Sequence, residues 1–283
     1  MRLDLNPHLV GIIMKEMVRR AIVAVRNERQ AFEVFAKEGH SGQMDDMCTT
    51  ADQKAQQVYL KTIRECFPTF GVVAEEDGLC IPSTHPSGAY FTIDPLDGTK
   101  AFVRKQSHGV GTMIALIVGN EVVSAYVGDI NTCEIYGYRP ESQKVHRITE
   151  FQTSEVLGPG EDKPLADQHA LLRDPAGTYS SDVQALVAKF KSHSVDGGSI
   201  GTWLARLWKR EVQVAFINAS VETPWDLAPI YGISIKLGYH FFYKPLARVG
   251  GNWIPYVTHL VRSKYRREHD LVVIHENDLT KLF

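Results

Sequence analysis

The chain has 283 residues, a formal net charge of −2 and a composition ordinary for a globular protein. That length suffices for one large domain or for two half-size layers that share a core. The near-neutral charge argues against a nucleic-acid partner, because proteins that bind nucleic acids are usually clearly basic.

No stretch offers the roughly 20 apolar residues that a membrane span needs, and the charged N-terminus lacks the apolar core of a secretion signal. None of the four cysteines belongs to a Cys-x-x-Cys pair, and no Cys/His spacing is typical of a zinc site. These features favour a cytoplasmic protein with reduced thiols and no membrane association. The cysteines are Cys48, Cys66, Cys80 and Cys133.

Helical periodicity dominates the N-terminal region. Apolar residues recur at helical spacing from Pro7 to about Lys37, and a Gly-His-Ser-Gly segment at 39–42 interrupts the pattern. A second helix is predicted from Thr50 to Cys66, with a capping box formed by Thr50 and Gln53.

A short strand with an acidic end follows. The strand is predicted at Gly71–Ala74, and Glu75, Glu76 and Asp77 come directly after it. Such an acidic run is most often a solvated loop, but it could also supply a metal ligand. Both interpretations stay open at this point.

The most informative stretch is Asp94-Pro95-Leu96-Asp97-Gly98-Thr99, which follows a predicted buried strand at Tyr90–Ile93. Pro95 cannot continue the hydrogen-bond ladder, so we expect the strand to end at Asp94 and the chain to turn. The turn brings Asp97 to the same side as Asp94. Two carboxylates held close together repel each other unless a cation lies between them.

The end of this stretch is suited to a phosphate. Gly98 allows the backbone to approach a ligand closely, and Thr99 opens a predicted short helix that runs to Phe102. Unpaired amides at a helix start bind anions. The stretch therefore offers carboxylates for a hard cation and donors for a phosphate group.

Antiparallel strands are predicted next, from Gly111 to Val118, from Glu121 to Val127 and from Cys133 to Tyr138. The signal weakens from Pro140 to Pro175. We place a boundary there, which divides the chain into an N-terminal α+β layer at 1–150 and a C-terminal α/β layer at 151–283.

The C-terminal half alternates predicted helices and strands. Thr223 is the expected N-cap of one helix, with Pro224 at its first position and Asp226 at its third, where an acid also compensates the helix dipole. The other predicted elements are helices at Asp182–Phe190 and Ile200–Arg210 and strands at Val212–Ile217, Tyr239–Tyr243 and Leu271–Ile274.

Two chemistries compete for these residues. In the first, acids from separate strand ends and helix starts, namely Glu75, Asp94, Asp97 and Asp226, hold hard cations such as Mg²⁺. Two such ions can clamp the attacking and leaving oxygens of a phosphate ester displacement. The sequence then predicts metal-assisted hydrolysis of a phosphate ester.

In the second, Gly197-Gly198-Ser199-Ile200-Gly201 is the Gly-x-Ser-x-Gly elbow of a serine hydrolase, with Asp226 and either His240 or His259 completing a triad. The polar residues before this motif are a poor match for the strong strand that an elbow requires. A third reading is a catalytically degenerate protein that only binds a metal or a partner, and the intact acids disfavour it.

Three motifs resemble those of the inositol monophosphatase superfamily in order and approximate spacing: Ala74-Glu75-Glu76-Asp77, Ile93–Thr99 and Pro224–Pro229. Thr49 and Asp52 also resemble the upstream Thr-x-x-Asp segment of this family, although Asp52 equally suits the helix dipole. The resemblance extends from the first helix to about residue 245. It implies an α+β fold built as a layered α-β-α-β-α sandwich of the inositol monophosphatase and fructose-1,6-bisphosphatase type.

The resemblance also implies roles for individual residues. One metal would be held by Glu75, Asp94 and the Leu96 carbonyl, a second by Asp94, Asp97 and Asp226, and a looser third by Glu75 and water. Thr99 and Glu75 would activate the nucleophilic water, with Asp52 supporting Thr99. The phosphate would lie on Gly98 and Thr99, and the substrate near Gly198 and Ser199.

The implied function is that of a Mg²⁺-dependent, lithium-sensitive phosphatase of a small phosphorylated metabolite, using two or three ions. The chain departs from the inositol-specific branch at Ala219, where an acid is usual, and the nearest acid is Glu222. Inositol phosphates, sugar phosphates, histidinol phosphate and phosphoadenosine nucleotides therefore stay open as substrates. Members of the family are often dimeric, so a homodimer also stays open.

Overall fold

The computed structural model describes residues 4–37, 39, 44, 46–158, 163–245, 252–258, 260 and 262–282. The helices are α1 (Pro7–Glu28), α2 (Thr50–Cys66), α3 (Thr99–Val103), α4 (Ser181–Val187), α5 (Ile200–Trp208), α6 (Pro224–Lys236) and α7 (Leu279–Leu282). The first ten strands are β1 (Val34–Lys37), β2 (Asp46–Thr49), β3 (Gly71–Ala74), β4 (Cys80–Ile81), β5 (Tyr90–Asp97), β6 (Gly111–Val118), β7 (Glu121–Asp129), β8 (Ile135–Tyr138), β9 (His146–Ile148) and β10 (Ser154–Val156). The others are β11 (His169–Leu172), β12 (Ser192–Val195), β13 (Val214–Ile217), β14 (Ser220–Glu222), β15 (Tyr239–Tyr243), β16 (Ile254–Pro255), β17 (Tyr265–Arg267) and β18 (Leu271–His275).

Two mixed sheets organise these elements. The first has the order β10-β9-β8-β7-β6-β5-β3-β4, and the second has the order β12-β11-β13-β18-β15-β16. β3 and β5 are parallel, as are β11 and its two neighbours, whereas the other neighbours within these sheets are antiparallel. Within the described ranges, no helix is both long and apolar enough to cross a bilayer.

Burial on both faces of each sheet produces five layers. In β6, Ile114 and Leu116 pack with α1 and α2, whereas Met113 and Ala115 face the core shared with α5, α6 and the second sheet. This alternation has the two-residue period of a strand. The outer face of the second sheet packs against α4. The arrangement confirms the predicted layered α-β-α-β-α fold, while the division near residue 150 stays a prediction.

The first helix is shorter than its periodicity suggested. α1 ends at Glu28, and its buried residues stop at Val25, so the apolar stripe does not continue into the following segment. Val34–Lys37 instead forms β1, which pairs antiparallel with β2. β-branched and aromatic residues there suit a strand better than a helix. Of the predicted interruption at 39–42, residues 40–42 lie outside the described residues.

The N-cap of α2 lies one residue before the predicted position. Thr49 is the cap, and its backbone N donates to Asp52 Oδ2 at 2.7 Å in a capping box. Thr50 is already helical, and its backbone N donates to the Glu33 carbonyl. The predicted Thr50–Gln53 pair was therefore wrong, because Asp52 serves the same capping purpose as the usual glutamate.

Candidate active site

Strand β5 delivers two acids through a bulge rather than a terminal turn. Asp94 pairs with Met113 and Asp97 pairs with Gly111. Between these two pairs, β5 has two residues where β6 has one. Pro95, one of the skipped residues, has no amide hydrogen for the ladder. The prediction that the strand ends at Asp94 was wrong, because β5 continues to Asp97. The bulge nevertheless brings the two aspartate side chains toward one site.

Three carboxylates converge at this bulge. One ligand oxygen from each of Asp94, Asp97 and Asp226 lies within 4.8 Å of the other two. Asp226 comes from the first turn of α6, where Thr223 caps the helix and its hydroxyl donates to Asp226 Oδ2 at 2.7 Å. Three acids this close require positive charge or protons to offset their repulsion.

Burial and mutual repulsion make these acids harder to ionise. Burial, followed by the negative charges of Glu75 and Asp97, raises the pKa of Asp94 well above its usual range. Burial and then the charge of Asp226 raise the pKa of Asp97 to about 7. Burial and then Glu75 raise the pKa of Asp226. A divalent cation would relieve this cost by favouring the charged forms.

Glu75 is held by a lysine that the sequence did not reveal. Lys37 in β1 lies with its Nζ 2.7 Å from Glu75 Oε1 and 2.9 Å from Glu76 Oε1. Glu75 nevertheless lines the same cavity as the three aspartates. Since Lys37 has no motif around it, only the pairing of β1 with β2 could have revealed this contact.

Thr99 links the bulge to the N-terminus of α2. Its Oγ1 lies 3.1 Å from Asp52 Oδ1 and 3.0 Å from the Leu96 carbonyl oxygen. Asp52 is fully buried, and burial raises its pKa to about 7 although hydrogen bonds from Thr49 oppose that shift. The fold thus brings Asp52, from the first turn of α2, to Thr99 and Leu96 of the Asp94–Thr99 stretch.

Asp97 also caps α5, a contact that sequence reasoning missed. Its carboxylate accepts hydrogen bonds from the backbone N of Ile200 at 3.1 Å, the backbone N of Gly201 at 2.8 Å and the Ser199 hydroxyl. An acid at a helix N-terminus stabilises the unpaired amides there. Asp97 therefore fixes the position of the Gly198–Ser199 segment relative to the bulge.

Glycines make this approach of two chain segments possible. Gly98 has a φ of +87°, and a Cβ there would lie 2.3 Å from the Gly109 carbonyl oxygen and 2.6 Å from the Ser199 backbone N. Gly198 has a φ of +83°, and a Cβ there would lie 2.5 Å from the same Gly109 carbonyl oxygen. Gly98 is thus required by a backbone–backbone contact, in addition to any ligand that approaches it.

A cavity of about 540 Å³ opens over these residues. Arg173 lines this cavity, and its buried Nη1 has no hydrogen-bond partner among the described residues, while its Nη2 donates to the Gly198 carbonyl. Lys100, Arg104 and His108 also line the cavity. Two further acids line it as well, with Asp46 4.0 Å from Lys100 and Asp196 3.4 Å from His108. The cavity thus combines carboxylates that suit a metal with cations, Arg104 and Arg173 among them, that suit a phosphorylated ligand.

The serine-hydrolase arrangement is not assembled. Ser199 is fully buried and donates to Asp97, and His240 lies 3.7 Å from Glu276. No hydrogen bond joins Ser199 to a histidine in the described part of the chain, and His259 lies outside the described residues. A nucleophilic serine needs a base within hydrogen-bond reach, so this geometry disfavours the elbow.

Glu222, the acid nearest to the position that Ala219 leaves without one, is sequestered. It is buried, pairs with Arg267 and accepts hydrogen bonds from the hydroxyls of Tyr256 and Tyr265. β14 and β17 pair at this point, which ties the segment before α6 to the C-terminal part of the chain. Glu222 does not line the cavity of about 540 Å³.

Comparisons with known proteins agree with this geometry. The model of the inositol monophosphatase family matches residues 9–234, so the chain belongs to that family. It is 26% identical over 222 residues to the histidinol-phosphatase of Chlorobaculum parvum, covering 74% of this chain and 75% of that protein. It is 30% identical over 110 residues to the Nus factor SuhB of Escherichia coli K12, covering 36% of this chain and 40% of that protein.

The fold has close relatives among solved structures. A crystal structure of an IMPase/NADP phosphatase complexed with Mg²⁺ and phosphate superposes with a TM-score of 0.69 at 15% identity, covering 96% of this chain and 92% of that one. This likeness establishes the inositol monophosphatase type of fold. The substrate of the present chain is a separate question.

Proposed function

We propose that this protein is a Mg²⁺-dependent phosphomonoesterase that hydrolyses a small phosphorylated metabolite. The observation that supports this most directly is the convergence of Asp94, Asp97 and Asp226 within 4.8 Å in a cavity that Arg104 and Arg173 also line. Oxygen ligands from carboxylates suit Mg²⁺, and the two guanidinium groups suit a phosphate ester. Membership of a family of metal-dependent phosphatases supports the same conclusion.

The donor set fits two or three Mg²⁺ ions. Glu75, Asp94 and the Leu96 carbonyl would hold one ion, and Asp94, Asp97 and Asp226 would hold a second, while Glu75 and water would hold a looser third. Asp97 already accepts three hydrogen bonds. Since an ionised carboxylate has about four acceptor sites, one site remains for a metal.

Bound Mg²⁺ would lower the pKa of a water molecule and offset charge on the phosphate. The protein's own contribution is to orient that water through Thr99 and Glu75. The Thr99 hydroxyl lies within reach of both Asp52 and the Leu96 carbonyl, so its proton has an acceptor and its lone pairs can face the cavity. Asp52, fixed by Thr49, holds Thr99 in this orientation.

The phosphate would lie at the start of α3, on the backbone amides of Gly98 and Thr99. The rest of the substrate would lie near Gly198 and Ser199, which Asp97 holds beside the bulge. Oriented backbone donors cost no reorganisation when charge develops on the phosphate oxygens. The residues that bind the metals and those that bind the substrate are thus joined through one carboxylate.

Several classes of phosphorylated metabolite are candidate substrates. Ala219 provides no acid for an inositol ring, and Glu222 is occupied by Arg267 and two tyrosines. Identity to a histidinol-phosphatase places histidinol phosphate among the compounds to test, beside sugar phosphates, inositol phosphates and phosphoadenosine nucleotides.

The test is phosphate release from a panel of these compounds with Mg²⁺ and with EDTA. We expect turnover of at least one compound with Mg²⁺, its loss in EDTA and its return when Mg²⁺ is added back. Ser199→Ala should retain Mg²⁺-dependent turnover. Turnover that survives EDTA and is abolished by Ser199→Ala would support the serine hydrolase instead, and no turnover of any compound would support a non-catalytic protein.

A further inference from the structure

A second cleft lies between the N-terminal half of α1 and strands β7 to β9. It has a volume of about 340 Å³ and shares no lining residue with the cavity of the candidate active site. Five basic side chains line it, and no aspartate or glutamate among the described residues does so. The basic residues are His8, Lys15, Arg139, Lys144 and His146.

Among the described residues, the positive charges in this basic cleft have no counter-ions. Lys15, Arg139 and Lys144 form no ion pair within the described residues, and Arg139 donates only to the Pro140 carbonyl oxygen. The neighbouring Glu16 is engaged by Arg19 and Arg20. Cations that are held close together without an anion repel each other, and a bound anion would relieve that repulsion. The chain as a whole carries a net charge of −2, so this cluster is a local concentration of positive charge.

The cations influence one another through the cleft. Burial and then the positive charges of Lys144, Lys15 and Arg139 lower the pKa of His146. Lys15 comes from α1, Arg139 and Lys144 come from the connection between β8 and β9, and His146 is the first residue of β9, so the fold assembles the cluster from distant parts of the sequence. His146 Nδ1 lies 3.1 Å from Ser154 Oγ, which fixes the orientation of its ring.

A close contact between α1 and the first sheet forms the floor of the basic cleft. A Cβ on Gly11 would lie 2.5 Å from Arg139 Cβ and 3.2 Å from the Tyr126 hydroxyl oxygen. Gly11 therefore lets α1 lie directly over β7 and β8, although glycine inside a helix is less favourable than alanine. Tyr126 is buried and lines the cleft, and its hydroxyl lies beside Gly11, where it can donate to a ligand.

We propose that this basic cleft is a second binding site, which takes a small molecule with at least two phosphate groups. The volume falls in the range of small-molecule pockets, and three fixed positive charges match a polyphosphate better than a single carboxylate. A concave site of this size excludes a duplex or a folded partner from its floor. The site stands independently of the proposed catalytic function.

The probe is inorganic pyrophosphate, titrated calorimetrically into the full-length protein in EDTA and about 0.15 M salt, where long-range charge effects are screened. EDTA removes metal ions that could hold the probe at the candidate active site. We expect saturable binding at one site per chain. Lys15→Gln combined with Arg139→Gln should weaken it by on the order of tenfold or more.

Two further variants keep the test decisive. Lys144 is an exposed side chain, so Lys144→Gln should not disturb the folding of the cleft. This variant should also weaken pyrophosphate binding. Lys100→Gln combined with Arg104→Gln removes two positive charges from the cavity of the candidate active site, as many as the Lys15 and Arg139 changes remove from the cleft. This variant should leave pyrophosphate binding unchanged.

Three results would overturn the proposal. One is the absence of pyrophosphate binding to the unaltered protein. Another is loss of binding with the Lys100 and Arg104 changes while the cleft variants bind normally, which would place the anion in the candidate active site. The last is cleft-dependent binding of a polyglutamate peptide but not of pyrophosphate, which would make the cleft a docking surface for an acidic protein.

Discussion

Lys37 Nζ lies 2.7 Å from Glu75 Oε1, so a lysine of the β1–β2 hairpin neutralises an acid that is proposed to hold a metal. Burial disfavours the charged lysine, but the charges of Glu75 and Glu76 outweigh it and raise the pKa of Lys37. Lys37 and a divalent cation would therefore compete for the same carboxylate.

Replacing Lys37 with glutamine should change stability and metal response in opposite directions. In EDTA the thermal midpoint should fall by the equivalent of about 1–2 kcal/mol, because Glu75 and Glu76 lose a charged hydrogen-bond donor. Added Mg²⁺ should raise the midpoint more than in the unaltered protein, since the competing charge is gone. Lys54→Gln, which removes a lysine paired with Glu28, is the control. A Mg²⁺ response equal to that of the unaltered protein would show that Lys37 does not compete.

The raised pKa of Asp97 predicts an unusual dependence of stability on pH. In the unfolded chain this group titrates near its ordinary value of 3.8, whereas in the fold its pKa is about 7. The folded state then binds more protons between these values, so this group makes the free energy of unfolding decrease as pH rises from about 4 to about 7. The effect is present only without a metal to stabilise the carboxylate.

Asp97→Asn should flatten this dependence. Urea unfolding in EDTA at about pH 5 and about pH 7 would give a difference in unfolding free energy that is smaller for the variant by on the order of 1–3 kcal/mol. Asp167→Asn, at an exposed aspartate that lines neither cavity, should behave as the unaltered protein does. An unchanged slope in Asp97→Asn would mean that Asp97 is already ionised at about pH 5.

The buried pair of Arg267 and Glu222 predicts a large loss of stability on removing one partner. Arg267 also donates to the carbonyl oxygens of Asn218 and His269, so it fastens the segment before α6. Arg267→Gln should cost about 3–5 kcal/mol of unfolding free energy, because Glu222 would be left buried without its ion-pair partner. The double variant with Glu222→Gln should recover part of this loss. Urea unfolding measures both, and a single variant as stable as the unaltered protein would contradict the role of the pair.

Lithium should inhibit Mg²⁺-dependent turnover at high concentration. A small monovalent ion could occupy the site of the second Mg²⁺ without providing the same charge. Phosphate release measured against LiCl, with KCl as the ionic-strength control, tests this. Insensitivity to lithium would argue against the proposed second site while leaving the phosphatase activity itself in place.

Local patterns predicted much of the fold. The alternation of apolar residues in β6, the cap at Thr223 and the order of the acidic motifs each depend on neighbours within a few residues. The layered architecture followed from resemblance to a family, which the match over residues 9–234 now supports. Errors came where two local rules competed, as at Thr49 and Thr50, since either threonine could cap α2.

Contacts between distant segments could not be predicted. Lys37 reaches Glu75 only because β1 pairs with β2, and Asp97 caps α5 from about a hundred positions away. The buried Nη1 of Arg173, which has no hydrogen-bond partner in the part of the chain that the structure describes, depends likewise on the second sheet meeting the cavity. Such ion pairs and hydrogen bonds depend on how the layers pack together. They leave no pattern of spacing along the sequence from which they could be predicted.

Asp226 is proposed to hold a metal rather than only to cap α6, and the decisive measurement is the Mg²⁺-induced shift of the thermal midpoint in Asp226→Asn. We expect a metal-free midpoint that is unchanged or higher, because a like charge has gone, together with a much smaller Mg²⁺ shift and turnover lower by orders of magnitude. Asp182→Asn, at an acid in the first turn of α4, is the matched control and should keep the full Mg²⁺ shift. A full Mg²⁺ shift in Asp226→Asn, with near-normal turnover and a lowered metal-free midpoint, would contradict the account and make the acid structural.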